Sequence, residues 1–99
     1  MIEIEDNDYR LLASELKERI GEADFFNSTV EYDTDRFYST LTVTAIVYRS
    51  DVTAPQGRFS LIEDVMPVWW DFSTVCDGRV CMNDFSFDSL REYIKEYTV

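Results

Sequence analysis

The sequence predicts an α+β domain of two layers, an antiparallel sheet of about four strands with an N-terminal and a C-terminal helix packed on one face, in the order α-β-β-β-β-α. Three observations carry that expectation. Apolar residues recur at helical spacing near the two ends, at Tyr9, Leu12, Leu16 and Ile20 and again at Phe87, Leu90, Ile94 and Tyr97. Between them the period falls to two, over Leu41, Val43, Ala45 and Val47. Short turn sequences, DTDR at 33–36 and Asp77-Gly78, join neighbouring β-rich runs closely enough for antiparallel pairing.

From Asp8, the stretch DYRLLASELKERIG has an Asn or Asp available as N-cap and Gly21 where a left-handed C-terminal residue belongs. Its other face, with Arg10, Glu15, Lys17 and Glu18, is polar, so the helix is amphipathic. ADFFNSTVEY and FYSTLTVTAIVYRS then form a hairpin around DTDR. With Tyr32 opposite Phe37, Val30 meets Ser39, Ser28 meets Leu41 and Phe26 meets Val43. Leu41, Val43, Ala45 and Val47 face the core, while Thr40, Thr42 and Thr44 face away, Thr40 and Thr42 lying opposite Thr29 and Asn27.

DVTAPQG, residues 51–57, reads as a turn-rich connection, and the run after it, 58–64, is too brief to distinguish strand from helical turn. From Met66 to Val75 alternation returns. Met66, Val68, Trp70 and Phe72 fall on one side, and Pro67, Trp69, Asp71 and Ser73 on the other; Pro67 has no ladder donor and favours an edge or a bulge. Asp77-Gly78 suits a two-residue type I′ turn, with Val80 to Met82 returning. Ser86 then caps the closing helix, with Asp88 in its first turn.

The 99 residues, 45% of them hydrophobic, suffice for one core and one domain spanning 1–99. Aromatic content of 15% argues against disorder. MIEIEDND lacks the basic and apolar regions of a secretory signal, no apolar run is long enough for a membrane span, and two cysteines make too thin a set for a disulfide scaffold, so a cytoplasmic setting is expected. Nine Lys and Arg stand against 20 Asp and Glu, a formal charge of −11. Phosphate is repelled by such a chain, so neither direct nucleic-acid binding nor attachment to an anionic membrane is expected. A protein partner, if charged, should be basic. The same acidity also serves plain solubility.

Two adjacent tryptophans in one strand must point to opposite faces. If the helices cover Leu41, Val43, Trp70 and Phe72, then Trp69 joins Tyr38, Ile46, Tyr48 and Phe25 on the outer face. Aromatic rings exposed on a sheet are suited to a protein interface. The competing reading has Trp69 packed under a loop, or buried by a register shift at Pro67.

The absence of histidine removes Ser-His and Cys-His nucleophilic catalysis, and two cysteines cannot assemble the usual zinc sets. Glycines at 21, 57 and 78 match no phosphate-binding loop. Glu31, Asp33 and Asp35 alternate like calcium ligands, but Arg36 and Thr42 stand where the calcium loop needs Gly and Glu, and turn chemistry accounts for the aspartates. A two-residue turn makes Cys76 and Cys81 diagonal, which favours free thiols; a four-residue loop would set them opposite. No cofactor, metal or catalytic residue is therefore expected, and a carboxylate-pair hydrolase has no motif to support it.

VMPVWWDFST, the Asp77-Gly78 turn and NDFSFDSLREYI resemble a block, here Val65 to Ile94, of small proteins encoded in phages and mobile elements of anaerobic gut bacteria. That resemblance implies a mobile-element setting and no particular activity. The expected function is a non-enzymatic protein-interaction module acting through the outer sheet face. The alternative is an acidic inhibitor or nucleic-acid mimic, with Glu3, Glu5, Asp6 and Asp8, or Asp33 and Asp35, standing in for phosphates. A homodimer through the aromatic face is a further arrangement the sequence leaves open.

Overall fold

The computed structural model describes residues 1–96. Helix α1 (Asp6–Ile20) is followed by β1 (Phe25–Asp33), β2 (Tyr38–Ala54), β3 (Gly57–Cys76), β4 (Arg79–Cys81) and α2 (Phe87–Ile94). The four strands form one antiparallel sheet in the order β1-β2-β3-β4. Leu12, Leu16 and Ile20 of α1 and Leu90 and Ile94 of α2 pack with Val30, Leu41, Val43 and Val65 in a single core on one face of that sheet. The α+β architecture is the one the periodicities predict. Tyr97, expected in the apolar stripe of α2, lies outside the described residues.

Helix α1 begins two residues earlier than expected, and its N-cap is Glu5, not an Asn or Asp. Asp8 acts one turn in, accepting the Glu5 amide at 2.8 Å. Asp8 is only 2% exposed and also accepts from the Tyr32 hydroxyl at 2.7 Å and from Arg36 Nη2. Arg36 donates in addition to the Glu3 carbonyl at 3.0 Å, so one carboxylate ties the helix start to β1 and to the β1–β2 loop. Burial pushes the Asp8 carboxyl up, but hydrogen bonds from Arg36, the Glu5 amide and Tyr32 outweigh it and leave it below its ordinary 3.8. Burial and the neighbouring Asp8 push the Tyr32 phenol up to about 12.

A carboxyl depressed by folding contributes stability that is complete above its unfolded pKa and disappears as the pH falls through the folded one. The stability difference between the protein and Asp8→Asn is therefore expected to hold at neutral pH and shrink below about pH 4. Denaturant titrations at several pH values check this. A difference that stays constant to strong acid would mean that Asp8 is not ionised in the fold. Tyr32 has the opposite sign: its contribution is full below its ordinary 10.0 and lost as the pH rises towards about 12.

The β1–β2 pairing is displaced by two residues from the expected register. Tyr32 faces Ser39, Val30 faces Leu41, Ser28 faces Val43 and Phe26 faces Ala45; Thr29 and Asn27 face Thr42 and Thr44. Phe37 is the cause. It is 3% exposed, drawn under the loop with Tyr32 against its ring at 6.0 Å, and so cannot serve as the first strand residue. Thr34 closes the loop, its amide donating to the Phe37 carbonyl at 2.8 Å and its hydroxyl accepting from the Arg36 amide at 3.0 Å. A slip of two preserves parity, so every side chain keeps its expected face.

Residues 51–57 do not form a turn-rich connection. β2 and β3 continue as a ribbon to a two-residue turn at Pro55-Gln56, with Ala54 opposite Gly57, and 59–64 is strand. That ribbon makes the molecule elongated, 51 Å along its longest axis. At the far end of β3, Asp77 (φ 52°) and Gly78 (φ 76°) form the tight turn expected between Cys76 and Arg79. The N-terminal segment runs beside the chain after β4: the Ile2 amide donates to Met82 at 2.7 Å and the Ile4 amide to Asp84 Oδ1 at 2.7 Å.

Candidate functional site

The surface that faces away from both helices is built by register. Reading across β1, β2 and β3, Phe25, Ile46 and Met66 form one cross-strand row, and Asn27, Thr44 and Trp69 the next. Thr29, Thr42 and Asp71 follow, with the two threonine hydroxyls 3.3 Å apart. Glu31, Thr40 and Ser73 come after them, then Asp33, Tyr38 and Val75. Tyr48 lies beyond the first row, opposite Asp64. Directly opposed side chains sit about 5 Å apart, so each row is a line of contacts.

Trp69 is 57% exposed, and Phe25, Ile46, Tyr48 and Met66 are exposed around it. These five make one aromatic and aliphatic patch at the end of the sheet nearer the ribbon. Four of them are residues the sequence assigns to this face. The fifth outer residue named from the sequence, Tyr38, is exposed on the same face but stands apart, roughly 26 Å along β2 from Ile46. Its neighbours are Asp33 and Val75, and Val80 of β4 follows across Val75.

Met66 was expected inside. Thr44 pairs with Trp69 and Ala45 with Pro67, so Val68 is an extra residue, and this bulge inverts the faces of the residues before it as far as the second extra residue, Glu63. Met66 turns outward, Pro67 inward, and Val65 becomes wholly buried. Pro67 was the available signal, because a residue without an amide is compatible with a broken ladder. Trp70 does point to the helix side, yet it is 39% exposed and not enclosed as expected. Its ring has Phe85 at 5.3 Å and Phe87 at 5.9 Å, while β4 pairs with β3 only over Thr74–Cys76, so among the described residues no strand lies beyond Trp70 at this edge.

No family model, curated protein or solved structure matches the chain.

Three other features stand outside the patch. A depression of about 570 Å³ beside the end of α1 is lined by Lys17, Glu22, Arg49, Arg58, Phe59 and Glu96, among others. Arg49 Nη2 is committed there to the Gly21 and Ala23 carbonyls, at 2.7 and 2.9 Å, so its charge serves the helix C-terminus. Cys76 and Cys81 are free thiols on diagonal positions of the last hairpin. A hydrogen bond between them raises the Cys76 thiol and lowers that of Cys81, whose Sγ also donates to Thr74 Oγ1 at 3.4 Å. The N-terminal acids do not form a free anionic cluster, since Asp8 is buried and Glu5 lies 3.9 Å from Arg36. Among the described residues no group of three or more His, Cys, Asp or Glu is placed to hold a metal ion, and no helix is long and apolar enough to cross a membrane.

Proposed function

We propose that the chain is a non-enzymatic protein-interaction module, an accessory protein of a mobile element working in the cytoplasm, and that it docks through the outer face of its sheet. One observation carries this reading: Phe25, Ile46, Met66, Trp69 and Tyr48 are exposed together on a face that neither helix covers. Scattered exposed apolar residues are ordinary, but a contiguous cluster of aromatic and aliphatic side chains is the pattern of an interface core. The mobile-element setting is supported by the Val65 to Ile94 resemblance.

Trp69→Ala is expected to weaken partner binding by roughly 2 kcal/mol or more, as truncation of a central interface aromatic does. Capture of partners from the native host, followed by titration of the captured protein with both variants, checks it. Unchanged affinity would move the interface elsewhere. The acidic-mimic alternative is weakened in one respect: Asp8 is enclosed and neutralised by Arg36, so it cannot stand in for a phosphate.

A further inference from the structure

The charges around the patch indicate its occupant. None of the nine basic residues stands at an outward position of the sheet. Three are on α1 and two at α2. Arg36 turns to Asp8, Arg49 to the end of α1, and Arg58 and Arg79 pair in register with Thr53 and Cys76 on the helix side. Four of the acids do stand at such positions, and one of them, Asp64 opposite Tyr48, is ion-paired to Arg91 at 2.6 Å. Asp71, Glu31 and Asp33 are exposed at outward positions, and Asp71 is one residue pair along β3 from Trp69. No cation accompanies these three on the face.

The edge of β3 nearest the patch is closed to strand addition. Val68 and Glu63 are both extra residues in the ladder, and Pro67 has no amide. The Val65 amide is taken by Asp64 Oδ1 at 2.8 Å; the Ile62 amide donates to Glu96 Oε1 at 2.9 Å, and the Ile62 carbonyl accepts from the Glu96 amide at 2.8 Å. Bulges, proline and capped amides are how sheets block edge pairing. At this edge of the patch, a partner therefore lies on the face and does not extend β3.

Resting on the reading above, we propose that the outer face takes a cationic protein segment. Its apolar side chain seats on Phe25, Ile46, Met66 and Trp69, and its Arg or Lys side chains reach along the threonine rows to Asp71, Glu31 and Asp33. An arginine can also lie over the Trp69 ring, where the face of the indole attracts a cation. A second copy fits poorly: each chain carries −11, and face-to-face association would bring carboxylates together with no basic group to meet them.

The test is selection of a random-segment display library on the folded protein, with counter-selection on Trp69→Ala, followed by light scattering of the protein alone. Expected are segments that require Trp69, are rich in Arg or Lys beside an apolar residue, and lose about tenfold in affinity when Glu31→Gln, Asp33→Asn and Asp71→Asn are combined, since three exposed ion pairs are removed. The triple variant should melt with the wild type, because all three side chains are exposed. Segments that need Trp69 but are neutral or acidic, or ignore the triple substitution, overturn the cationic partner and leave the docking face standing. Failure to recover any segment dependent on Trp69 removes both. A dimer that Trp69→Ala dissociates overturns the proposal in favour of a second copy.

Discussion

Replacing Asp8 by alanine is expected to destabilise the fold by about 3 kcal/mol, lowering the melting temperature by more than about 10 °C. The carboxylate is buried and accepts three hydrogen bonds, from the Glu5 amide, the Tyr32 hydroxyl and Arg36. Removing it leaves these donors to find water. Arg36 can do so, because its side chain is 39% exposed, and that part of the loss is small. The half-buried Tyr32 hydroxyl and the Glu5 amide have less access, and an unsatisfied buried donor costs about 1–3 kcal/mol. The start of α1 also loses one of its two first-turn carboxylates. Asp8→Asn keeps an acceptor and should lose about half as much. Arg36→Gln should lose less than Asp8→Ala, because the carboxylate would retain two donors. Denaturant unfolding of the three variants checks the order, and a loss below about 1 kcal/mol for Asp8→Ala would mean that water replaces the network freely.

Asp8 also shows where sequence reasoning stops. Its placement in a helix follows from the spacing of Tyr9, Leu12 and Leu16, but its partners come from residues 24 and 28 positions away, which no local pattern specifies. The same division runs through the sheet. Periodicity of two settled which side of β2 is buried, and the correct face survived a register slip caused by the burial of Phe37. It did not settle the faces of Met66 and Pro67, because a bulge preserves composition while inverting parity. The candidate patch was readable in four of its five residues for the same reason. Phe25, Ile46 and Tyr48 lie on regular stretches and Trp69 lies after the bulge, while Met66 lies before it. Tyr38 was given the right face and the wrong neighbourhood, since parity carries no information about distance along a strand. Residues 51–54 read as part of a turn because Pro55 and Gly57 punctuate only the tip of the ribbon, whereas Asp51, Val52 and Thr53 beside them are strand.

Three aromatic residues of β3 test the faces in one series. Phe72 is 8% exposed and stacked on Phe85 at 4.2 Å, so Phe72→Ala should cost about 4 kcal/mol, within the range for a buried ring. Trp70→Ala should cost about 2 kcal/mol, less than an enclosed indole, because Phe85 and Phe87 cover only part of the ring. Trp69→Ala should cost under about 0.5 kcal/mol, as a surface substitution does. The gradient does not follow side-chain size, which would put both tryptophans above phenylalanine. It follows what each ring touches, and it separates folding from docking: the substitution that matters least to stability is the one on which partner binding depends. Melting the three variants at neutral pH measures the gradient. Equal losses at Trp69 and Trp70 would place both indoles in comparable surroundings, and the outer patch would then lose its indole.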